Sequence, residues 1–331
     1  MQLKECLKHP NKINADIMNR REKTFLEEKE KCKGPFYHIH GTIKDPALIE
    51  MDKLYGIADY LSIKNAKKHK RILFSLAGLG TLLSIIFFLY FEGEQHFMIA
   101  FCVFLLILLF YVQKKSNDWE CHRKYLEYRV LAESIRLQFF LSTTEIEKTV
   151  TDIMPWFIKQ SIPWIGNILK SLPTDEVKEK ESLVYFWIRD QKTYHEEALN
   201  KAEIKKEKEH KISNIAIIVT ALAFLFGLLF EIYMYLFSPN IDAHLIRLCI
   251  KIAIGGMSVG TLFLESYYGK MSLTETINDH KRMILLYKKA EQEILEKGET
   301  EEIVLNLAKE YLSENSAWYA YQSKNKSELV L

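Results

Sequence analysis

The chain has 331 residues, with 45 Lys or Arg against 43 Asp or Glu and a formal net charge of +2 at pH 7. That balance says little about partners, and no duplex nucleic acid is expected. Long apolar runs alternate with dense charge, which excludes a single soluble core and fits a membrane protein with large aqueous parts.

The N-terminus, MQLKECLKHPNKIN, lacks the apolar core of a cleaved signal peptide, so the first apolar run is expected to direct insertion. His38 and His40 in YHIHG could supply two metal ligands, but no CxxC or carboxylate cluster completes a set. No metal and no cofactor are expected. Leu48, Met51, Tyr55, Ala58 and Leu61 recur at helical spacing, so Asp45–Arg71 reads as a helix running into the first span. Residues 1–71 form an N-terminal helical region.

Ile72–Phe91 is uncharged over the length that crosses the hydrocarbon core. Glu92–His96 is too short for anything but a turn into a second run, Phe97–Val112. Residues 72–112 are the first transmembrane hairpin. Residues 113–211 read as helical: Asn117–Ser142 continues from the second span, and Asp175–Lys211 leads into the third. Between them, MPWFIKQSIPWIGNILKSLPTDE is apolar and punctuated by Pro155, Pro163 and Pro173. It reads as short helices, at the membrane surface or within a helical core. Ile212–Phe230 begins the third span, and Leu245–Tyr268 forms the fourth after the turn Ser238–His244. Residues 212–266 are the second hairpin, and 267–331 carry two more helices separated by Gly298. The fold class is all-α, a four-span polytopic protein with helical extensions.

Lys and Arg crowd the first span's entry, the second's exit and the third's entry, while both short turns have none. The positive-inside rule therefore places both termini and the middle segment in the cytoplasm. The same basic residues can meet anionic lipid head groups. Cys6, Cys32, Cys102, Cys121 and Cys249 are odd in number and form no CxxC pair, so they read as free thiols in a reducing setting.

The fourth span is charged. With Lys251 at zero on a helical wheel, Gly255, Ser258, Leu262 and Glu265 fall at about +40°, −20°, +20° and −40°, and Arg247 at about −40°. Such a stripe faces protein or water rather than lipid. Gly256 and Gly260 form a GxxxG pair on the other side. One reading lines a pore with Arg247, Lys251, Gly255, Ser258, Leu262 and Glu265, with Leu262 as a hydrophobic constriction. The other pairs Lys251 with Glu231 of the third span, at similar depth, and makes the charges structural. The sequence contains no P-loop, GxGxxG, GxSxG or HExxH, so an enzyme is not expected.

Glu127–Ser142, EYRVLAESIRLQFFLS, resembles the YRxLAExLRxQ motif that follows a transmembrane hairpin in SLATT-like bacterial anti-phage effectors, the SMODS- and SLOG-associating membrane modules. LYGIADYLS (Leu54–Ser62), WIRDQKTYHEEA (Trp187–Ala198) and ENSAWYAYQSKNKSEL (Glu314–Leu329) resemble the family's other segments, in the same order. Ile135 departs from the pattern's leucine, and only about 45 residues precede the matched region, fewer than a separate sensor domain needs. The resemblance implies membrane disruption or ion conduction in abortive infection at the bacterial inner membrane. The implied partners are other copies of the chain, membrane lipids, and a nucleotide or oligonucleotide signal made by a companion nucleotidyltransferase. Tetrameric channel effectors of the Hailong type are similar in kind. Arg136, Gln138, Gln191, Tyr194 and His195 are polar groups of the matched motifs that could line a signal site. Alternatively, Glu133, Arg136 and Gln138 tie neighbouring helices together.

Overall fold

A computed structural model describes residues 44–92, 96–177, 181–237, 243–269 and 272–324. Among these the protein is all-α, with no strand. The helices are α1 (Pro46–Glu92), α2 (Met98–Trp119), α3 (Cys121–Ser142), α4 (Val150–Ile153), α5 (Trp156–Ser161), α6 (Pro163–Lys170), α7 (Val184–Phe237), α8 (His244–Gly269), α9 (Leu273–Lys297) and α10 (Glu301–Lys324). The described residues divide into two compact units. One comprises residues 44–67, 121–197 and 279–324, and the other residues 68–120 and 198–278.

Local chemistry sets several helix ends. Pro46 opens α1 with its ring already at a helical φ, and the Asp45 carboxylate accepts from the Ala47 N–H at 2.9 Å, so a free helix-end donor is satisfied. α2 stops at Trp119 because Glu120 turns left-handed, with φ of 47°. That conformation costs an ordinary residue roughly 1 kcal/mol. Gly298, with φ of +79°, separates α9 from α10 without that penalty, and its N–H closes on the Ile294 carbonyl at 2.9 Å.

The first unit is a helical core built around α3. From Leu126 to Ser142 nearly every side chain of α3 is buried, on all faces. A helix surrounded in this way must be packed by others on every side. The first part of α1 brings Met51, Leu54, Ala58 and Leu61 from one face. The start of α7 brings Val184, Trp187 and Ile188; α9 brings Met283 and Tyr287; α10 brings Val304, Leu307, Ala308 and Tyr311. The Pro-punctuated segment belongs to this core: Ile158, Trp164, Ile165, Ile168 and Leu169 are buried, although Trp156 is exposed. Each such aliphatic side chain contributes about 1.5–3 kcal/mol by leaving water.

The second unit holds the apolar stretches. Four helices are long and apolar enough to cross a membrane: α1, α2 with its continuation α3, α7 and α8. The protein is thus polytopic, with two helical hairpins. Their hydroxyls are carried at hydrocarbon depth by bonding back to the carbonyl one turn earlier. Thr81, Ser84, Thr220, Ser258 and Thr261 donate in this way at 2.8–3.0 Å.

Candidate functional site

The charged face of the second hairpin is built by α7 and α8. Gly227 on α7 lets α8 approach: a Cβ there would come within 3.0 Å of the Ile250 side chain and 3.7 Å of Ile254. Near the turn, Arg247 donates from Nε to Glu231 Oε1 at 2.7 Å and from Nη2 to Oε2 at 2.8 Å. The expected partner of Glu231 was Lys251, one turn further along α8. The two-point contact is with Arg247, whose guanidinium presents two parallel donors to a carboxylate as an ammonium does not, and Lys251 also acts electrostatically on the same Glu231 carboxylate. The pair is about half exposed, at 47% for Arg247 and 52% for Glu231.

Lys251, Leu262 and Glu265 are exposed, and Ser258 is half-buried. Gly255 differs from the expectation. A Cβ built on it would lie 2.6 Å from the ring of Phe88 on α1, so this glycine exists to admit an aromatic neighbour of the same protomer. The exposed charged face is therefore narrower than the sequence stripe, and Gly255 marks its packed edge. Gly256 lies beside Ile85, 3.5 Å from where a Cβ would be, while Gly260 has open space.

Polar side chains of the helical unit converge on one carboxylate, Glu133, which is 2% exposed. Arg129 reaches it at 2.6 Å and Arg136 at 2.9 Å, and the Tyr311 hydroxyl donates to it. Burial works to raise the Glu133 carboxyl; Arg129, then Arg136 and the Tyr311 hydroxyl, override it and hold it below the usual carboxylate value. Arg136 also donates to Gln191 Oε1 at 3.2 Å and to the Tyr55 hydroxyl, and lies over the Tyr55 ring at 4.7 Å. Burial pushes the Tyr55 phenol up to about 12. Arg129 also bonds Asp59 at 3.1 Å and the Tyr194 hydroxyl at 3.3 Å. His195 Nδ1 lies 2.9 Å from His280 Nδ1.

Of the five residues expected at a signal site, Arg136, Gln191, Tyr194 and His195 are thus brought together. Gln138 is not: its amide donates to Ser142 at 3.2 Å and accepts from the Val150 N–H at 2.8 Å, which caps the start of α4. Tyr194 is the most exposed of the group, at 43%. Arg129, Tyr55, Tyr311 and His280 were missed. The i, i+4 spacing of Arg129 and Glu133 was a visible signal for the first. Tyr311 lies 178 residues from Glu133, and no local pattern announces it. Among the described residues no group of three or more His, Cys, Asp or Glu could hold a metal ion. His38 and His40 lie outside the described residues.

No protein-family model, no curated protein and no solved structure matches the chain.

Proposed function

We propose that the protein is a membrane effector whose copies assemble around an ion-conducting pore, gated by a nucleotide or oligonucleotide signal from a companion nucleotidyltransferase in anti-phage defence. The observation that carries the pore reading is the exposure of Arg247, Glu231, Lys251 and Glu265 on apolar helices whose most hydrophobic stretches are not buried within the protomer. A charge at hydrocarbon depth costs roughly 2.5–3.5 kcal/mol against lipid. That cost disappears when the face borders water shared between copies. Closed rotational symmetry then brings one α8 from each copy to the axis, four in the tetramer that the Hailong-type resemblance favours. Leu262, 65% exposed on the same helix, forms the hydrophobic constriction. Lys251, Ser258 and Glu265 line the path, and the Arg247–Glu231 pair sits at its outer end.

The order of the four motif-like segments supports the defence role and the signal. The protein resides in the bacterial plasma membrane with both termini cytoplasmic. In this proposal the signal meets the helical unit at the Tyr194–Arg129 rim, with Arg136, Gln191 and His195 behind it. It shifts the balance between two arrangements of the helices.

Purified protein in lipid vesicles tests the pore. Conductance should change in ion preference with Lys251→Glu and in size with Leu262→Ala; conductance indifferent to both removes this face from the path. Arg136→Ala and Gln191→Ala should weaken signal binding in protein that remains folded, and unchanged binding takes them out of the site.

A second reading, a membrane-anchored sensor or scaffold without a pore, is favoured by one finding. Glu231 and Arg247 already neutralise each other within the hairpin. Vesicles that stay sealed with the signal bound would select it.

A further inference from the structure

We infer that His195 and His280 form a proton-operated latch between α7 and α9, closed while at least one imidazole is neutral and released when both are protonated. The two Nδ1 atoms face each other at 2.9 Å, with ring centroids 5.1 Å apart. Two nitrogens at that distance need one hydrogen between them. One ring donates its Nδ1–H; the other accepts at a bare Nδ1 and carries its hydrogen on Nε2. A first added proton goes to Nε2 of the donor and leaves the bond intact. A second goes to the accepting Nδ1. It removes the acceptor, sets N–H against N–H, and places two positive charges in contact.

The surroundings keep the latch closed near neutrality. Burial, then His280, holds His195 down at about 4, while Glu133 opposes and Arg129 and Arg136 from α3 assist. Burial likewise lowers His280, against Asp279 beside it on α9 and with Arg129. Tyr194 stands edge-on to both rings, at 5.2 and 6.5 Å, and Tyr287 lies 5.8 Å from His195. From α10, the Glu314 carboxyl belongs to the same charged neighbourhood, acting with Glu133, Asp279, Arg129 and Arg282. Both histidines have depressed folded values. Their contribution to stability is therefore present above the ordinary value of 6.5 and is lost as pH falls towards about 4.

The test is amide hydrogen exchange of the full chain in detergent, corrected for intrinsic pH dependence, over the first turns of α7 and α9. Between about pH 7.5 and about pH 5, protection in the wild type should fall by about ten-fold or more. In His280→Gln the amide still donates to His195 but cannot take up a proton, and the fall should be clearly smaller than in the wild type, the remainder coming from His195, which its own burial still holds down. Glu314→Gln should enlarge the fall, because its raised carboxyl works in the opposite direction, which separates the latch from the neighbouring carboxyl. An equal fall in wild type and His280→Gln, or none in the wild type, overturns the latch. Imidazole nitrogen spectra of the wild type give a second readout that needs no variant. One donating and one accepting Nδ1 are expected at neutral pH; two independent rings titrating near 6.5 would sink the proposal.

Discussion

Arg247 and Glu231 are joined across the second hairpin by two parallel hydrogen bonds, of 2.7 and 2.8 Å. Depth alone does not choose between Arg247 and Lys251, which lie one turn apart on the same face. The planar match of guanidinium to carboxylate does. Arg247→Lys keeps the charge and loses the two-point geometry, so it should lower the thermal stability of the purified protein in detergent. Exchanging the pair, Glu231→Arg with Arg247→Glu, should recover more stability than either single change leaves. Equal losses in single and double variants would show that the contact contributes nothing.

Gly255 is closed by an aromatic ring. A methyl at Gly255 meets the far edge of Phe88, which has to shift, so Gly255→Ala should cost about 1 kcal/mol. Combined with Phe88→Ala, the glycine substitution should become nearly neutral. Denaturation of all four proteins in one detergent measures the coupling, and strict additivity would contradict the contact.

Glu133 is the shared counter-charge of two guanidinium groups, that of the nearly buried Arg136 and that of the partly exposed Arg129. Glu133→Ala leaves Arg129 and Arg136 without that counter-charge, and removing one partner of a buried pair costs about 3–5 kcal/mol. Tyr311→Phe deletes only the hydroxyl donor and should cost about 1.5–3 kcal/mol, the range for a hydrogen bond to a charged group. Thermal unfolding of the two variants should rank them in that order; the reverse order would place the stabilising centre elsewhere.

Glu314 should make stability pH-dependent in the direction opposite to the histidines. Burial, followed by Glu133 and Asp279, raises its carboxyl to about 7 from an ordinary 4.5. A raised folded value means that its contribution is fully present below about 4.5 and is lost as pH rises through about 7. Glu314→Gln should therefore be more stable than the wild type at about pH 8 and lose that advantage at about pH 5. A constant difference across that range would mean that the carboxyl is not strained.

The helices, their apolar stretches and the stop at Gly298 were legible because they depend on period, run length and a single residue's freedom at positive φ. α10 runs on to Lys324, where Asn315, Ser316 and Tyr319 are buried. Propensity within that segment does not reveal what lies beside it. The same holds for MPWFIKQSIPWIGNILK: its apolar content allowed either a membrane surface or a core, and only the burial of Trp164 and Ile165 decides for the core.

By itself the sequence determined that this is a helical membrane protein with four apolar spans, a charged last span and polar residues set into packed helices. These properties are local, carried by residues within a few turns of one another. Tertiary structure alone decided which charges meet: Arg247 with Glu231, Glu133 with Tyr311, and His195 with His280. It also turned Gly255 towards Phe88. Each depends on the approach and rotation of helices distant in the chain, and helical periodicity does not encode the angle at which one helix faces another.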